Sequence, residues 1–318
     1  MKIAICRPAR TRAASATAII ALIALAAIGA NRPVRAAQTP VPLQVAYAGS
    51  MGSLMDGAIR PAIAAALGAE LQGRAQGSTG LANLIVAGSI RPDVFISITS
   101  EPMRQVLAAG KAARAVPIAR TEMVIAYSPH SRFAQALAHA DTPGGTPWWR
   151  ILETPGLRFG RTDPHTDPLG LNIIFTIELA ADLYRQPELV KDILGPQINP
   201  QQIFQEPQLM ARLQAGQLDA AAAYKMQPAG FGLPFIALPR EINLGAAALA
   251  DAYRHAAVTL DGKTTYPAPL VFYAAVMTGA AQPAIAARFV AWLQGDAARA
   301  ILARDHYDVP GDAPALTP

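Results

Sequence analysis

Apolar residues fall in short blocks along this chain, and the spacing inside each block predicts strand and helix in alternation. Leu43 to Tyr47 reads as a strand, and Leu54 to Leu67 as an Ala-rich helix with apolar positions at helical spacing. Leu71 to Gln76 reads as a second strand, Leu81 to Ala87 as a helix, Val94 to Ile98 as a third strand and Glu101 to Ala109 as a helix. That βαβαβα order predicts an α/β fold with a parallel sheet covered by helices, whose ligands bind outside the carboxyl ends of the strands. A second unit begins at Met123, where MVIAYSP is a strand closed by a Ser-Pro turn. DTPGGTP at 141–147 is a loop, and Trp148 to Leu152 returns to helix, with the Trp148-Trp149 pair expected to pack inside. Further short strands are expected at Leu157 to Gly160, Gln202 to Gln205 and Ala220 to Tyr224, separated by helices at Leu171 to Tyr184 and Pro207 to Ala215. Pro269 to Met277 is a strand, and Ala284 to Ala303 an amphipathic helical region with Trp292 and Leu293 on its core side.

The first thirty-six residues break this pattern. Lys2, Arg7, Arg10 and Arg12 form a basic head, Thr17 to Ala30 is almost wholly apolar, and Val34-Arg35-Ala36 offers small residues for cleavage, which is the layout of an export signal. An uncleaved membrane anchor is the alternative. Removing 1–36 changes the charge picture, because that stretch holds six of the 27 Lys and Arg residues and none of the 22 Asp and Glu. The formal charge of +5 then becomes about −1, and the composition points to no nucleic-acid partner. An anion site would have to be local. The single cysteine, Cys6, lies in the basic head, so the exported chain would have no disulfide, no thiolate nucleophile and no Cys-ligated metal.

Three turns share one physical character: AGSMGS at 48–53, QGSTG at 76–80 and RTDPHTDPLG at 161–170 each follow a strand and lead into a helix. Glycine lets backbone approach a ligand, Ser and Thr supply neutral donors, and the first helical turn presents unpaired N–H groups at the positive end of the dipole. Several such turns together would enclose an anion without a charged side chain. Each turn alone is also an ordinary helix cap, with Ser53 the expected cap of the first helix and Ser50 the expected ligand contact. Asp163-Pro-His165-Thr-Asp167 resembles the start of a calcium loop, but Pro168 stands where the loop glycine belongs and Ile174 where its closing glutamate belongs, so a capped turn is expected and no free metal ion. There is no HExxH, GxSxG or GxxxxGK[ST] motif, and His130, His139, His165, His255 and His306 are scattered. A serine hydrolase using Ser50 or Ser53 would lack an indicated base. No enzyme and no cofactor are expected.

YAGSMGSLMD, QGSTGLANLIVAG followed by PDVFIS, RFGRTDPHTDPLG, LQAGQLDAAAAYK, FIALPREINL and the terminal FVAWLQGDAARAIL together resemble the periplasmic molybdate/tungstate-binding proteins of ABC transporters, across essentially the whole chain after residue 36. The resemblance implies a two-lobed periplasmic-binding-protein fold of type II, the Venus-flytrap arrangement, with two crossing strands near Glu122–Tyr127 and Tyr266–Val271. Lobe 1 would comprise 37–122 with 266–318, and lobe 2 would comprise 123–265. A monomer would hold a molybdate or tungstate oxyanion between the lobes and deliver it to an ABC transporter membrane permease. By the same resemblance, the Ser50 and Ser78 hydroxyls, backbone N–H groups at Leu169 and Glu206, and the Tyr224 phenol contact the anion. In the tungstate-type branch, an Asp at the position of Asp167 and a Glu just before the tyrosine also approach the metal centre of the anion. Here the second position is Ala223, and Leu171 and Asn172 stand where the family has aromatic and basic residues. Sulfate, thiosulfate or a phosphonate would suit the same fold, as would, less directly, a secreted enzyme or sensor module.

Overall fold

The computed structural model describes residues 40–318, so the export signal expected at 1–36, with Cys6, lies outside the described residues. Eleven strands follow one another in the described chain: β1 (Val41–Ala48), β2 (Ala69–Gln76), β3 (Val94–Ile98), β4 (Val116–Arg120), β5 (Met123–Tyr127), β6 (Phe159–Gly160), β7 (Ala220–Tyr224), β8 (Phe235–Ala237), β9 (Val258–Leu260), β10 (Lys263–Thr265) and β11 (Val271–Val276). They form a five-stranded sheet of order β2-β1-β3-β11-β4, a four-stranded sheet of order β6-β7-β5-β8, and the β9–β10 hairpin. The chain passes from the first sheet to the second between β4 and β5, at Thr121 and Glu122, and returns through 266–270 into β11. This is the α/β, two-lobed type II arrangement.

The first sheet is mixed where the βαβαβα pattern predicted it parallel. β1 pairs in parallel with β2 and β3, but β11 runs antiparallel to both β3 and β4. The returning chain enters the sheet from the other end, a long-range event that local periodicity does not encode. β4 escaped the hydrophobic pattern because Pro117 interrupts it; proline is tolerated there because β4 is an edge strand. Gln202 to Gln205 is not a strand. It makes one bridge, with Arg161 N–H donating to Gln202 O at 2.8 Å and Phe204 N–H donating to Arg161 O at 2.9 Å, because its neighbour β6 is only two residues long. The terminal helical region is two helices, Pro283–Leu293 and Asp296–Arg304, separated where Gly295 adopts an extended backbone (φ −83°, ψ 168°). Trp292 is half-buried, whereas Leu293 is fully buried.

β7 shows how packing overrides local preference. Its sequence AAAAY has low strand propensity, yet all five residues are buried at the centre of the second sheet, under the helices Pro168–Tyr184 and Glu206–Gln214. The small side chains let both helices lie close, and that places the helix N-termini beside Tyr224 at the strand's end. Helix Pro168–Tyr184 is fixed at its other end by aromatics. Trp148 Nε1–H donates to the Tyr184 hydroxyl at 3.2 Å, and Trp149 stacks on the same ring with centroids 6.0 Å apart. Both tryptophans are buried. Among the described residues no helix is long and apolar enough to cross a membrane.

Candidate functional site

The three small-residue turns and the end of β7 converge. Backbone helix begins immediately after β1, at Gly49, and after β2, at Ser78. Neither serine caps its helix: the N-cap positions are Ala48 and Gly77, and no side-chain cap bond forms at either. Ser53 does not cap either, contrary to the sequence expectation, because helical backbone starts four residues earlier and leaves it inside the helical run. The third turn is capped as its sequence suggests. Asp163 Oδ1 accepts from His165 N–H, and Asp167 is the N-cap of Pro168–Tyr184, its Oδ1 accepting from Leu169 N–H at 2.9 Å.

The second and third turns touch. Gly80 N–H donates to the Thr166 carbonyl at 3.0 Å, and a Cβ built on Gly77 would stand 2.5 Å from that carbonyl oxygen and 3.0 Å from Asp167 Cβ. Only glycine fits. Gly77→Ala is expected to force these turns apart at a cost of about 1–3 kcal/mol, the usual range for overpacking. Calorimetric melting checks this directly: a melting temperature equal to that of the parent would show that the contact is not tight.

The first turn meets the second sheet at Glu206. A Cβ on Gly49 would lie 2.5 Å from Glu206 Oε2, and the Ser50 backbone N–H lies beside the same carboxyl. Glu206 Oε1 accepts from Gln227 Nε2 at 3.1 Å, while Gln227 Oε1 accepts from Tyr224 N–H at 2.8 Å, tying Glu206 to the end of β7. The Tyr307 hydroxyl donates to Ser50 O at 3.2 Å and closes the first turn from the C-terminal segment.

The hydroxyls of this cluster are poised to donate. Ser78 Oγ accepts from Ile98 N–H at 3.2 Å, and the Tyr224 hydroxyl accepts from Asn172 Nδ2 at 3.0 Å, so neither bond uses the hydroxyl's own proton. Ser50 Oγ and Thr162 Oγ1 are buried with no hydrogen-bond partner. A buried hydroxyl left unpaired costs about 1–3 kcal/mol. Burial first, and then the nearby Asp167 and Glu206 carboxyls, push the Tyr224 phenol well above its ordinary pKa, so it stays a donor.

Two carboxyls stand among these donors. Asp167 and Glu206 are 7% and 5% exposed, and burial raises both carboxyls above the ordinary range, Glu206 also through the charge of the nearby Asp167. The Leu169 N–H expected to face a ligand is taken by Asp167 itself, and at Glu206 it is the side chain that enters the cluster. The buried guanidinium of Arg161 donates through Nε and Nη2 to Gln202 Oε1 and to the Pro196 and Gln197 carbonyls, and its Nη1 has no hydrogen-bond partner. A cavity of about 330 Å³ opens beside this cluster; Ser50, Glu206 and Gln227 line its polar side and Met210, Met226 and Phe231 its apolar side. Ser78, Asp167, Leu169 and Tyr224 do not line this cavity.

Gln227 and Tyr307 are part of the cluster and carry no sequence signal that would have selected them, while Thr162 lies in the third turn and Asn172 at a position where the chain departs from the family. Tyr307 in particular meets Ser50 across 257 positions of chain. Among the described residues no group of three or more His, Cys, Asp or Glu is placed to hold a metal ion.

A family model described as bacterial extracellular solute-binding protein matches residues 43–308, which includes every residue of this cluster. The chain belongs to that family. An uncharacterized solute-binding protein of Halobacterium salinarum is 31% identical over 253 residues, 79% of each chain. A putative ABC transporter molybdenum-binding protein of Haloferax volcanii is 35% identical over 51% of each chain, and the molybdate/tungstate-binding protein WtpA of Pyrococcus abyssi is 29% identical over 61% of each. These two matches span about half to three-fifths of those relatives. Among solved structures, the periplasmic molybdate-binding protein of Azotobacter vinelandii superposes with a TM-score of 0.56 at 16% identity, covering 85% of this chain and 99% of that one. Iron-bound HitA of Pseudomonas aeruginosa superposes with a TM-score of 0.54 at 18% identity, covering 88% and 89%. At such identities the solved structures establish the shared fold, and this solute-binding protein's ligand has to be argued from its own side chains.

Proposed function

We infer that this protein is the solute-binding component of an ABC importer, exported through removal of residues 1–36, and that it binds a tetrahedral oxyanion, molybdate or tungstate. The observation that carries the reading is that the buried hydroxyls of Ser50, Ser78 and Tyr224, on the turns after β1 and β2 and at the end of β7, keep uncommitted protons. A dianion with no proton of its own takes donors only, and each buried bond to a charged acceptor contributes about 1.5–3 kcal/mol. The relatives named for molybdate or molybdate/tungstate binding support the same choice. In this reading 37–122 with 266–318 and 123–265 are the two lobes of a monomer. They close on the anion by hinging at the two inter-sheet crossings and then present a defined surface to the membrane permease.

Titration calorimetry of the purified protein against molybdate, tungstate, sulfate and phosphate tests it. Saturable heat with molybdate or tungstate, and much weaker heat with sulfate, is the expected result; no heat with either of the first two overturns it. A second reading, a phosphonate or another oxyanion carrying a substituent, is favoured by the cavity beside Ser50 and Glu206, and a phosphonate arm of the same titration decides between them.

A further inference from the structure

Of the hydroxyls on Ser50, Ser78 and Tyr224, the last two already accept an N–H from the protein. At Ser78 the donor is backbone, Ile98 N–H at 3.2 Å, and at Tyr224 it is a side chain, Asn172 Nδ2 at 3.0 Å. The second bond is the unusual one, because an amide is buried to make it. Asn172 is 3% exposed and begins the run Asn172-Ile173-Ile174-Phe175 of the helix Pro168–Tyr184, in which the three residues after it are buried and apolar. Asparagine is a poor helix former, and burying an amide is unfavourable unless its polar atoms are paired. Neither helix formation nor packing asks for an amide at this place.

The tyrosine it reaches has little freedom left. β7 holds the Tyr224 backbone against β5 through its pairing with Met123, Tyr224 N–H donates to Gln227 Oε1 at 2.8 Å, and the side chain is fully buried. With backbone and ring held in this way, the hydroxyl proton is what can still turn. A phenol O–H lies near the ring plane, so its proton takes one side of the oxygen and leaves the other side to accept. Asn172 Nδ2 brings its own hydrogen to one side, which drives the hydroxyl proton to the opposite one. Because Asn172 is uncharged, it sets this direction without adding charge to the cluster.

Resting on the oxyanion reading above, we propose that Asn172 is a positioning residue of the binding site: its amide holds the Tyr224 hydroxyl as a donor, with the proton turned toward the anion, before the anion arrives. No atom of Asn172 needs to touch the ligand. The gain is preorganisation. A hydroxyl free to rotate presents a lone pair part of the time, which repels an anion, and it has to be turned when the ligand binds; one that already accepts from Asn172 does not. Ser78 is held in the same sense by a backbone N–H, which no side-chain substitution removes, so Tyr224 is where the device can be tested.

Titration calorimetry with molybdate, or with tungstate if that is the anion the parent binds, on the parent, Asn172→Leu, Tyr224→Phe and the double variant reads the coupling. Asn172→Leu is expected to weaken binding about tenfold, the scale of one hydrogen bond, and Tyr224→Phe by about ten- to a hundredfold. In the Tyr224→Phe background Asn172→Leu should cost no further affinity, an outcome that a loss of packing alone would not give. Asn172→Ala takes the place of Asn172→Leu if the latter does not fold. Unchanged affinity in either single variant, or an equal loss with and without the Tyr224 hydroxyl, overturns the proposal and leaves the oxyanion reading standing. If the parent binds neither anion, that reading fails separately, and the unliganded protein still decides the role of Asn172. An infrared difference spectrum between each protein and its Tyr224→Phe counterpart isolates this phenol. A C–O stretch typical of an accepting hydroxyl in the parent, lost in Asn172→Leu, supports the proposal; the same stretch in both overturns it.

Discussion

Ser50→Ala combined with Ser78→Ala is expected to weaken molybdate or tungstate binding by roughly two to four orders of magnitude. Each hydroxyl is a neutral donor to a charged acceptor in a buried site, worth about 1.5–3 kcal/mol, and because both meet the same anion the sum of the two sets the upper end of the loss. The single variants should separate in stability. Ser50 Oγ has no partner in the protein, so Ser50→Ala should leave the melting temperature unchanged or raise it. Ser78 Oγ accepts the Ile98 N–H, and Ser78→Ala leaves that buried donor unpaired at a cost of about 1–3 kcal/mol. Calorimetric affinity alongside thermal melting makes the distinction. Full affinity in the double variant would show that the hydroxyls do not meet the anion.

Trp148→Ala carries the largest expected loss of stability, about 3–5 kcal/mol, because it empties a large, fully buried site. The indole also packs edge-on against Tyr184, with centroids 6.3 Å apart, and donates to its hydroxyl. Its loss therefore loosens the far end of the helix whose N-cap is Asp167. Denaturant unfolding at constant slope measures the change, and Trp148→Phe, which keeps most of the volume but not the N–H, should lose less. A loss below about 1 kcal/mol for the alanine variant would mean that neighbouring side chains refill the space.

Much of the fold was legible because local chemistry and tertiary environment agree. The apolar run LQVAY, the Ala-rich helix after it and the buried VFISI produce β1, the Gly49–Leu67 helical run and β3 close to where the sequence pattern puts them. At β4 and β11 that agreement ends: an edge position tolerates Pro117, and strand direction depends on where the chain returns from. The site divides in the same way. Its turns stand out in sequence because glycine and hydroxyl residues after a strand are locally unusual, whereas Gln227, Asn172 and Tyr307 are ordinary residues until folding brings them together.

The amino-acid sequence by itself determined the α/β plan in two units and the turns that carry Ser50, Ser78 and Asp167, through periodicity and small-residue patterning, and its motifs carried the resemblance to a solute-binding family. Only the tertiary structure decided that the serines are not caps and that Asp167 takes the Leu169 N–H. It also decided that the Glu206 side chain enters the cluster. Those outcomes depend on which lone pairs and protons remain free after residues distant in the chain are packed against one another, and burial, which decides whether a carboxyl keeps its proton, is a property of the assembled fold.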